Sequence, residues 1–245
     1  TTEIYTLSLH DALPIYVQQW LAAFEQATRD ALAEAGISGS QIQAISVSGQ
    51  QHGLVLLDQQ GEVLRPAKLW CDTESTPENN RLLDYLGGEA GSLARLGVAI
   101  APGYTVSKLL WTLEHYPEFS VRIDKILLPH DYLNYWLTGR CCSEFGDASG
   151  TGYFNVRTRS WDVALLEHID PSGRLSRALP QLIDAQQAVG TIRPQIAQLL
   201  GLNPDAIVAS GGGDNMMGAI GTGNIQPGSI TMRSEEHTTE LQSLT

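Results

Sequence analysis

The sequence has few cysteines, few basic residues and no long apolar run. Its 245 residues include three cysteines, and the adjacent pair Cys141 and Cys142 lacks the C-x-x-C spacing of a metal or redox site. We therefore expect reduced thiols and a cytoplasmic protein. No apolar stretch approaches the roughly 18 residues of a membrane span, so we expect no membrane partner. Lysine and arginine total 15 against 27 acidic residues, and this excess of acid argues against a nucleic-acid partner, which needs a basic surface.

Both ends of the chain differ in character from the segment between them. Residues 1–15, TTEIYTLSLHDALPI, resemble a translated sequencing-library adapter, because part of such an adapter's DNA encodes them codon for codon. Residues 233–245 begin with RSEEHTTELQS, which resembles the matching reverse adapter, with Thr239 where serine is expected. The alternative is a natural extension and a polar tail. We expect residues 16–232 to carry the fold, and we exclude both ends from fold reasoning.

Helix and strand patterns alternate along residues 16–232, which is typical of one mixed α/β domain. Apolar residues recur at helical spacing from Val17 to Ala35, and Gly36 predicts the end of that helix. The other predicted elements are strands at 42–47, 54–57 and 206–209, a hairpin turn at 58–61, and helices near 107–115, 131–137, 163–168, 196–200 and 215–221.

The first motif with chemical content is SGQQHG, residues 48–53, between two predicted strands. Glycines on both sides let the backbone turn tightly and approach a ligand. Gln51 and His52 then present amide and imidazole groups at a strand end, which suits hydrogen bonding to a polyol. The alternative is a polar turn whose histidine is satisfied structurally, since such loops are common.

The second motif is GGGDN, residues 211–215, between a predicted buried strand and a helix. Three consecutive glycines are unusual because each adds conformational entropy that folding must overcome, so the run indicates close approach of the backbone to a ligand. Asp214 would lie near the helix N-terminus, where the dipole favours its ionised form, and such a carboxylate can accept a proton from a substrate hydroxyl. The alternative role for Asp214 is a helix N-cap. The motif matches neither a Walker A loop nor the usual setting of G-x-G-x-x-G.

Six segments follow the order seen in the FGGY family of carbohydrate kinases, which the chain therefore resembles. They are SGQQHG (48–53), LRPAKLWCD (64–72), PGYTVSKLLW (102–111), IDKILLPHDYLNYWLTGR (123–140), DASGT (147–151) and GGGDN (211–215). The resemblance spans nearly all of residues 42–223. It implies an actin-like, ribonuclease-H-like α/β fold in which two domains close on a cleft. Residues 16–232 would form part of the N-terminal domain.

The resemblance also implies ATP-dependent phosphorylation of a ketopentose, with D-xylulose to D-xylulose 5-phosphate as the leading reaction. Asp214 matches the family's catalytic base, which takes the proton of the sugar's 5-hydroxyl. Gln51 and His52 match the pair that touches the sugar, and Asn215 is expected to contact it as well. Some relatives have methionine at the position of Gln51, so a backbone contact there is as compatible with the family as a side-chain contact.

Three further residues are second-tier candidates near the cleft. Trp70 and Asp72 lie in a segment that the resemblance places near the sugar, although Glu74 stands where some relatives have arginine. Gly213 directly precedes the expected base.

Other residues within the six segments have a structural interpretation. Lys108 and Trp111 stand three residues apart on a predicted helix, a spacing that favours packing and solvation. The segment 147–151 is expected to be a turn near the cleft.

The resemblance implies ATP and Mg²⁺ as cofactors, with their main binding motifs expected outside this chain. The family's D-x-G-T-S/T motif does not occur in residues 16–232, and a second glycine-rich phosphate segment would follow Met232. We therefore expect the chain alone to have no appreciable kinase activity. The histidines show no partner spacing for a metal, so we predict no metal site at them: His115, His130 and His168.

Two alternatives to the leading reaction stay open. One is an FGGY kinase for another sugar or polyol, such as ribulose, erythritol or gluconate, because sugar choice depends on pocket contacts. The other is a catalytically silent sugar-binding relative, since one fold can host both; the intact Asp214 favours the enzyme. The expected partner is a small-molecule sugar, and a homodimer is compatible with the resemblance.

Overall fold

The computed structural model of the protein describes residues 15–231, in which helices and short strands alternate. The helices are α1 (Val17–Ala35), α2 (Thr76–Leu86), α3 (Gly88–Leu96), α4 (Thr105–His115), α5 (Pro129–Thr138), α6 (Phe145–Ala148), α7 (Val163–Ile169), α8 (Arg174–Arg177), α9 (Pro194–Leu200) and α10 (Asp214–Gly221). The strands are β1 (Ala44–Ile45), β2 (Ser48–Gly49), β3 (Val55–Leu57), β4 (Lys125–Leu127), β5 (Cys142–Glu144), β6 (Phe154–Asn155), β7 (Ser160–Trp161), β8 (Gln181–Ile183), β9 (Gly190–Thr191), β10 (Ile207–Val208) and β11 (Gly212–Gly213). Two 3-10 helices lie at Gly39–Gln41 and Pro117–Val121.

The mixed α/β class predicted from the sequence is observed. The adapter-like ends, residues 1–15 and 233–245, lie outside the described residues except for Ile15, which forms a backbone bridge with Ala67. The predicted hairpin turn at 58–61 is also present, because Leu57 pairs with Val63 across it.

Helix boundaries follow the local chemistry of the sequence. Helix α1 ends at Gly36 as predicted, where a φ of 64° lets the backbone N–H bond back to the carbonyl groups of the last turn. Helices α5 and α9 begin at Pro129 and Pro194, because the fixed φ of proline suits the first helical position. Both helices end at a glycine with positive φ, Gly139 and Gly201.

The sequence pattern does not predict α2 and α3. In α2 the inward positions include Glu78 and Asn79 beside the buried Leu82, so the apolar periodicity is interrupted. The side chain of Asn79 has a partner in α4, because the hydroxyl of Ser107 donates to its Oδ1 at 2.9 Å. A hydrogen bond between helices, invisible in the sequence, replaces the expected apolar contact.

Parallel strand pairing joins segments that are far apart in the sequence. Strand β1 pairs in parallel with β10, and β9 adds to β10 in antiparallel orientation. Strand β2 pairs in parallel with β11, with Ser48 opposite Gly212 and Gly49 opposite Gly213. The SGQQHG and GGGDN motifs therefore run side by side.

Three clusters of buried apolar side chains support these strands. The first packs α4 through Val106 and Leu109, and the second packs α5 through Leu137 against Val208 of β10. The third lies between β3 and β4. Full burial of one such side chain stabilises the folded state by about 1.5–3 kcal/mol. The apolar contacts of α4 and α5 therefore fix the positions of the polar groups on these helices. Within residues 15–231, none of the helices combines the length and apolar character that a membrane crossing needs.

A matched pair of glycines tests how closely the two motif strands approach. Gly36 and Gly211 have φ of 64° and 67°, but a Cβ on Gly36 would meet nothing within 4 Å, whereas one on Gly211 would overlap the carbonyl oxygen of Val47. We expect Gly36→Ala to lower the free energy of unfolding by about 1–2 kcal/mol, the cost of a left-handed alanine. We expect Gly211→Ala to lower it by more than about 3 kcal/mol, since overpacking adds to that strain. Urea denaturation of both variants measures the difference, and equal losses would contradict the close approach.

Candidate active site

The two motifs meet where β2 and β11 end. Because Gly49 lies opposite Gly213 in parallel register, the chain leading to Gln51 and His52 runs beside the chain that enters α10. A Cβ placed on Gly213 would lie 2.6 Å from Cγ of Gln51, so the Gln51 side chain lies directly against the backbone of the glycine run. The three glycines predict a close approach of the backbone to a ligand. In the structure, the side chain of Gln51 lies against this backbone.

His52 is held in an uncommon conformation at the centre of this junction. Its φ is 65°, in the left-handed region that residues other than glycine seldom adopt. Its Nδ1 lies 2.6 Å from the carbonyl oxygen of Gly150, and its ring centroid lies 4.5 Å from that of Tyr104. Burial lowers the pKa of His52; the Gly150 carbonyl and Asp214 oppose this effect, and Lys108 adds to it. A neutral imidazole that donates its Nδ1–H to Gly150 keeps Nε2 as an acceptor for a hydroxyl group.

Two of these contacts involve residues that the sequence patterns do not single out. Tyr104 and Gly150 lie within segments that carry the family resemblance, but a single aromatic residue or glycine has no pattern of its own. A Cβ on Gly150 would lie 2.7 Å from Nδ1 of His52, so a glycine is needed there to leave room for the imidazole ring.

Asp214 is the first residue of α10, and Gly213 occupies the N-cap position. The alternative role of Asp214 as the N-cap is therefore not observed. A carboxylate in the first helical turn interacts favourably with the helix dipole. Asp214 is half-buried and Asn215 is exposed, so both are accessible to a ligand. The charge of Asp214 acts on His52, so the structure places these two predicted site residues within electrostatic reach of each other.

A buried ion pair lies beneath the two motifs. Nδ1 of His130 is 3.3 Å from Oδ1 of Asp131 and 3.4 Å from Oδ2 of Asp147, and all three residues are at most 1% exposed. Burial opposes a charge on His130, but hydrogen bonds with the two carboxylates outweigh it and raise the pKa of His130 to about 10. Nε2 of His130 therefore donates to the carbonyl oxygen of Ser210, 2.6 Å away. On its other side His130 touches β2, since a Cβ on Gly49 would lie 2.8 Å from Cβ of His130.

Asp147 connects this ion pair to His52. It lies in α6, at the start of the predicted turn 147–151, and its backbone carbonyl accepts a hydrogen bond from the N–H of Gly150. Gly150 in turn accepts the Nδ1–H of His52. Burial raises the pKa of Asp147, and His130 opposes that rise, so the pair is ionised at neutral pH. The turn expected near the cleft is thus a support for His52.

Packing and solvation were the roles expected of Lys108 and Trp111; both side chains are buried, so the packing is observed and the solvation of Lys108 is not. Lys108 is fully buried in α4, and its Nζ donates to the carbonyl oxygens of His52, at 2.8 Å, and Gly103. The sequence carries a signal for this burial, because Lys108 stands three residues after Thr105 and four before Thr112, which are also fully buried. Residues at that spacing share one helix face.

Of the second-tier residues, Asp72 pairs with a buried lysine, Lys68, while Gly213 lies in β11 against Gln51. The Nζ of Lys68 is 2.6 Å from Oδ2 of Asp72 and 2.8 Å from Oε2 of Glu74. Glu74, the departure from the family pattern, therefore has its own partner in this chain. Trp70 is 41% exposed, and its carbonyl oxygen would be 2.6 Å from a Cβ on Gly103. Trp70 thus reaches the same segment that Lys108 holds.

The residues that the structure describes do not by themselves fit a Mg²⁺ site. In residues 15–231 the ligand-type side chains that come together are His130, Asp131 and Asp147. Mg²⁺ takes oxygen ligands and usually keeps several waters, whereas this cluster contains a histidine and its three residues are at most 1% exposed, so its chemistry is that of a buried ion pair. The other two histidines considered in the sequence stack on aromatic rings: His115 on the buried Trp111 at 4.0 Å, and His168 on Tyr85 at 3.6 Å.

Comparison with known proteins places this geometry in a family. Residues 15–221 match the family model for the N-terminal domain of the FGGY family of carbohydrate kinases. The xylulose kinase of Haemophilus influenzae is 50% identical over 217 residues, which cover 87% of this chain and 44% of that protein. The xylulose kinase of Streptomyces rubiginosus is 39% identical over 205 residues, 83% of this chain and 41% of that protein. The chain spans less than half the length of these relatives.

Solved structures agree with the sequence relatives. A xylulose kinase from Rhodospirillum rubrum superposes with a TM-score of 0.80 at 25% identity, covering 87% of this chain and 43% of that one. A protein from Brucella ovis described as a xyloylose kinase gives 0.75 at 34% identity, covering 86% and 42%. The predicted actin-like fold, represented by part of the N-terminal domain, is confirmed.

The ion pair beneath the motifs predicts a pH dependence of stability. The folded protein keeps the proton of His130 up to about pH 10, whereas an unfolded chain releases it near the ordinary value of 6.5. The contribution of His130 is therefore complete below pH 6.5 and is lost as the pH rises towards 10. We expect the difference in unfolding free energy between the wild type and His130→Asn to shrink over that range. Urea denaturation from pH 6 to pH 10 measures it, and a constant difference would show that His130 is not charged.

Proposed function

Because the chain belongs to the FGGY family of carbohydrate kinases, we propose that it is part of an enzyme that phosphorylates a ketopentose with ATP, converting D-xylulose to D-xylulose 5-phosphate. The observation that carries this proposal is the placement of Asp214 beside Gln51 and His52, at the ends of two paired strands. The identity with proteins named xylulose kinase supports D-xylulose as the sugar.

Sugar binding is assigned to the polar groups at the junction of the motifs. The neutral His52 offers Nε2 as an acceptor for a sugar hydroxyl, since its Nδ1–H is engaged by Gly150. Gln51 and Asn215 supply amide groups that can donate and accept at the same time, which matches hydroxyl groups of either role. Trp70 and Tyr104 add apolar surface for the carbon chain of the sugar.

Asp214 is assigned the role of general base. Its carboxylate takes the proton of the sugar's 5-hydroxyl while that oxygen forms a bond to the γ-phosphorus of ATP and the bond to the β,γ-bridging oxygen breaks, releasing ADP. The proton ends on Asp214 and the phosphoryl group on the sugar. A position at the start of α10 suits this role, because the helix dipole stabilises the carboxylate before the proton arrives.

Kinases of this family use ATP and a divalent metal. A metal ion would neutralise charge on the transferring phosphate. Since the described residues do not form a metal site, no step is assigned to one. The roles given to this chain concern the sugar and its proton.

Replacing Asp214 tests its role as the base. We expect Asp214→Asn in the full-length protein to lower kcat by on the order of 10²–10⁴-fold, the usual contribution of a general base. Stability should change little, because Asp214 is half-buried at a helix start. Steady-state kinetics and urea denaturation measure the two quantities. Asp205→Asn, the same change at an exposed position before β10, is the control. A kcat for Asp214→Asn within a few-fold of the wild type would contradict the assignment.

A substrate panel tests the sugar. We expect the full-length enzyme to have a higher kcat/KM for D-xylulose than for L-ribulose, erythritol, glycerol or gluconate, measured as ADP release. Preference for another member of the panel, still lost in Asp214→Asn, would keep the chemistry and overturn the choice of sugar. A folded enzyme that phosphorylates none of them would support a sugar-binding relative without activity.

A further inference from the structure

Lys108 occupies a position that a lysine seldom has. It is fully buried, and the groups that its Nζ contacts are neutral backbone carbonyls, those of His52 and Gly103, rather than carboxylates. Burial lowers the pKa of Lys108 to about 7; Asp72 opposes this shift and Lys68 adds to it. Both the ammonium and the neutral amine carry at least two N–H donors, so two carbonyl groups can be held in either form.

The two carbonyl groups belong to two segments of the chain that meet beside the candidate sugar site. The first carbonyl belongs to His52, whose backbone is left-handed and whose ring packs against that of Tyr104. The hydroxyl of Thr105 donates to the same carbonyl oxygen at 3.2 Å. Gly103 directly precedes Tyr104 and lies against the backbone of Trp70. One amine therefore joins the SGQQHG loop to the segment that carries Tyr104 and borders Trp70.

We propose that Lys108 is a positioning residue for sugar binding, whose amine holds the backbone of His52 and Gly103 so that the His52 ring, packed against that of Tyr104, keeps the orientation that presents its Nε2 to the sugar. This inference rests on the proposed function and adds to it a residue that does not touch the substrate. A left-handed backbone at a residue other than glycine costs roughly 1–2 kcal/mol and persists only where surrounding contacts enforce it. The hydrogen bonds from Lys108 and Thr105 supply that enforcement at His52.

The kinetic test separates positioning from general stability. In the full-length enzyme we expect Lys108→Met to raise the KM for the sugar by on the order of 10-fold or more, the effect of losing a charged hydrogen bond, with kcat and the KM for ATP within a few-fold of the wild type. Lys108 acts through His52, so adding Lys108→Met to His52→Ala should raise the sugar KM by less than about 3-fold beyond His52→Ala alone. Multiplicative losses in the double variant would overturn the proposal.

Two further variants guard against a simple folding defect. Leu109→Val removes buried apolar volume from the same helix, and Leu109 packs in the apolar core rather than against the His52 loop, so this variant should lower stability and leave the sugar KM unchanged. Thr105→Val keeps Lys108 and removes the second hydrogen bond to the His52 carbonyl, so it should raise the sugar KM in the same direction by a smaller factor. A KM that follows stability across all of these variants would contradict positioning.

A spectroscopic readout does not depend on the sugar or on catalysis. The charge of Lys108 contributes to the lowered pKa of His52, while Asp214 acts in the opposite direction and is left unchanged. NMR titration of the His52 ring should therefore show a higher pKa and a displaced ring signal in Lys108→Met, and no change in Leu109→Val. An unchanged His52 titration in Lys108→Met would overturn the proposal. If the wild type phosphorylates no sugar, the proposed function fails and this titration alone decides the role of Lys108.

Discussion

The candidate site depends on one short parallel pairing, that of β2 with β11. Two residues on each side supply few hydrogen bonds, and strands this short are not stable on their own. The support comes from α5, where His130 touches the backbone of Gly49 and donates to the carbonyl of Ser210. Asn134, one turn further along α5, donates to the same carbonyl at 2.9 Å. The strand ends that carry Asp214 and Gln51 are therefore held from below by side chains, and the glycines in both motifs leave room for that contact.

Two buried cations, His130 and Lys108, lie beside this site, and their different partners shift their pKa values in opposite directions. His130 faces carboxylates, which raise its pKa and make its charge favourable in the folded state. Lys108 faces carbonyl groups, so burial dominates and its pKa falls. Because the pKa of Lys108 is lower in the folded protein than in the unfolded chain, its charge destabilises the fold while both states hold the proton, and this unfavourable contribution shrinks as the pH rises above 7. The contribution of His130 changes in the opposite direction over the same range. A buried charge that costs stability is better explained by the geometry it imposes on His52 than by a contribution to folding.

The sequence predicted those parts of the structure whose signals lie within a short stretch of residues. The helix that ends at Gly36, the strand at 206–209 and the two glycine-flanked motifs each carry their signal within about ten residues. The ion pair of His130 with Asp147 is not local, because its members are 17 residues apart and neither has a recognisable spacing to the other. The full burial of Lys108 was not foreseen for a different reason: a lysine on a helix normally keeps its amine in solvent, and only its position on the buried stripe indicates otherwise. The assignment of the reaction and its roles relied on the family resemblance, since a loop with glycine and histidine is chemically unspecific.

The buried and the accessible groups of this site have different roles, and the burial of each group suits its role. Groups that hold the backbone, His130, Asp147 and Lys108, are fully buried, where hydrogen bonds are strong and an unsatisfied partner is costly. Groups assigned to the ligand, Asp214 and Asn215, keep contact with solvent and can be changed with little loss of packing. A change of substrate is therefore most easily achieved at the accessible positions, whereas a change at a buried one moves His52 or the strand ends before it alters any contact with a sugar.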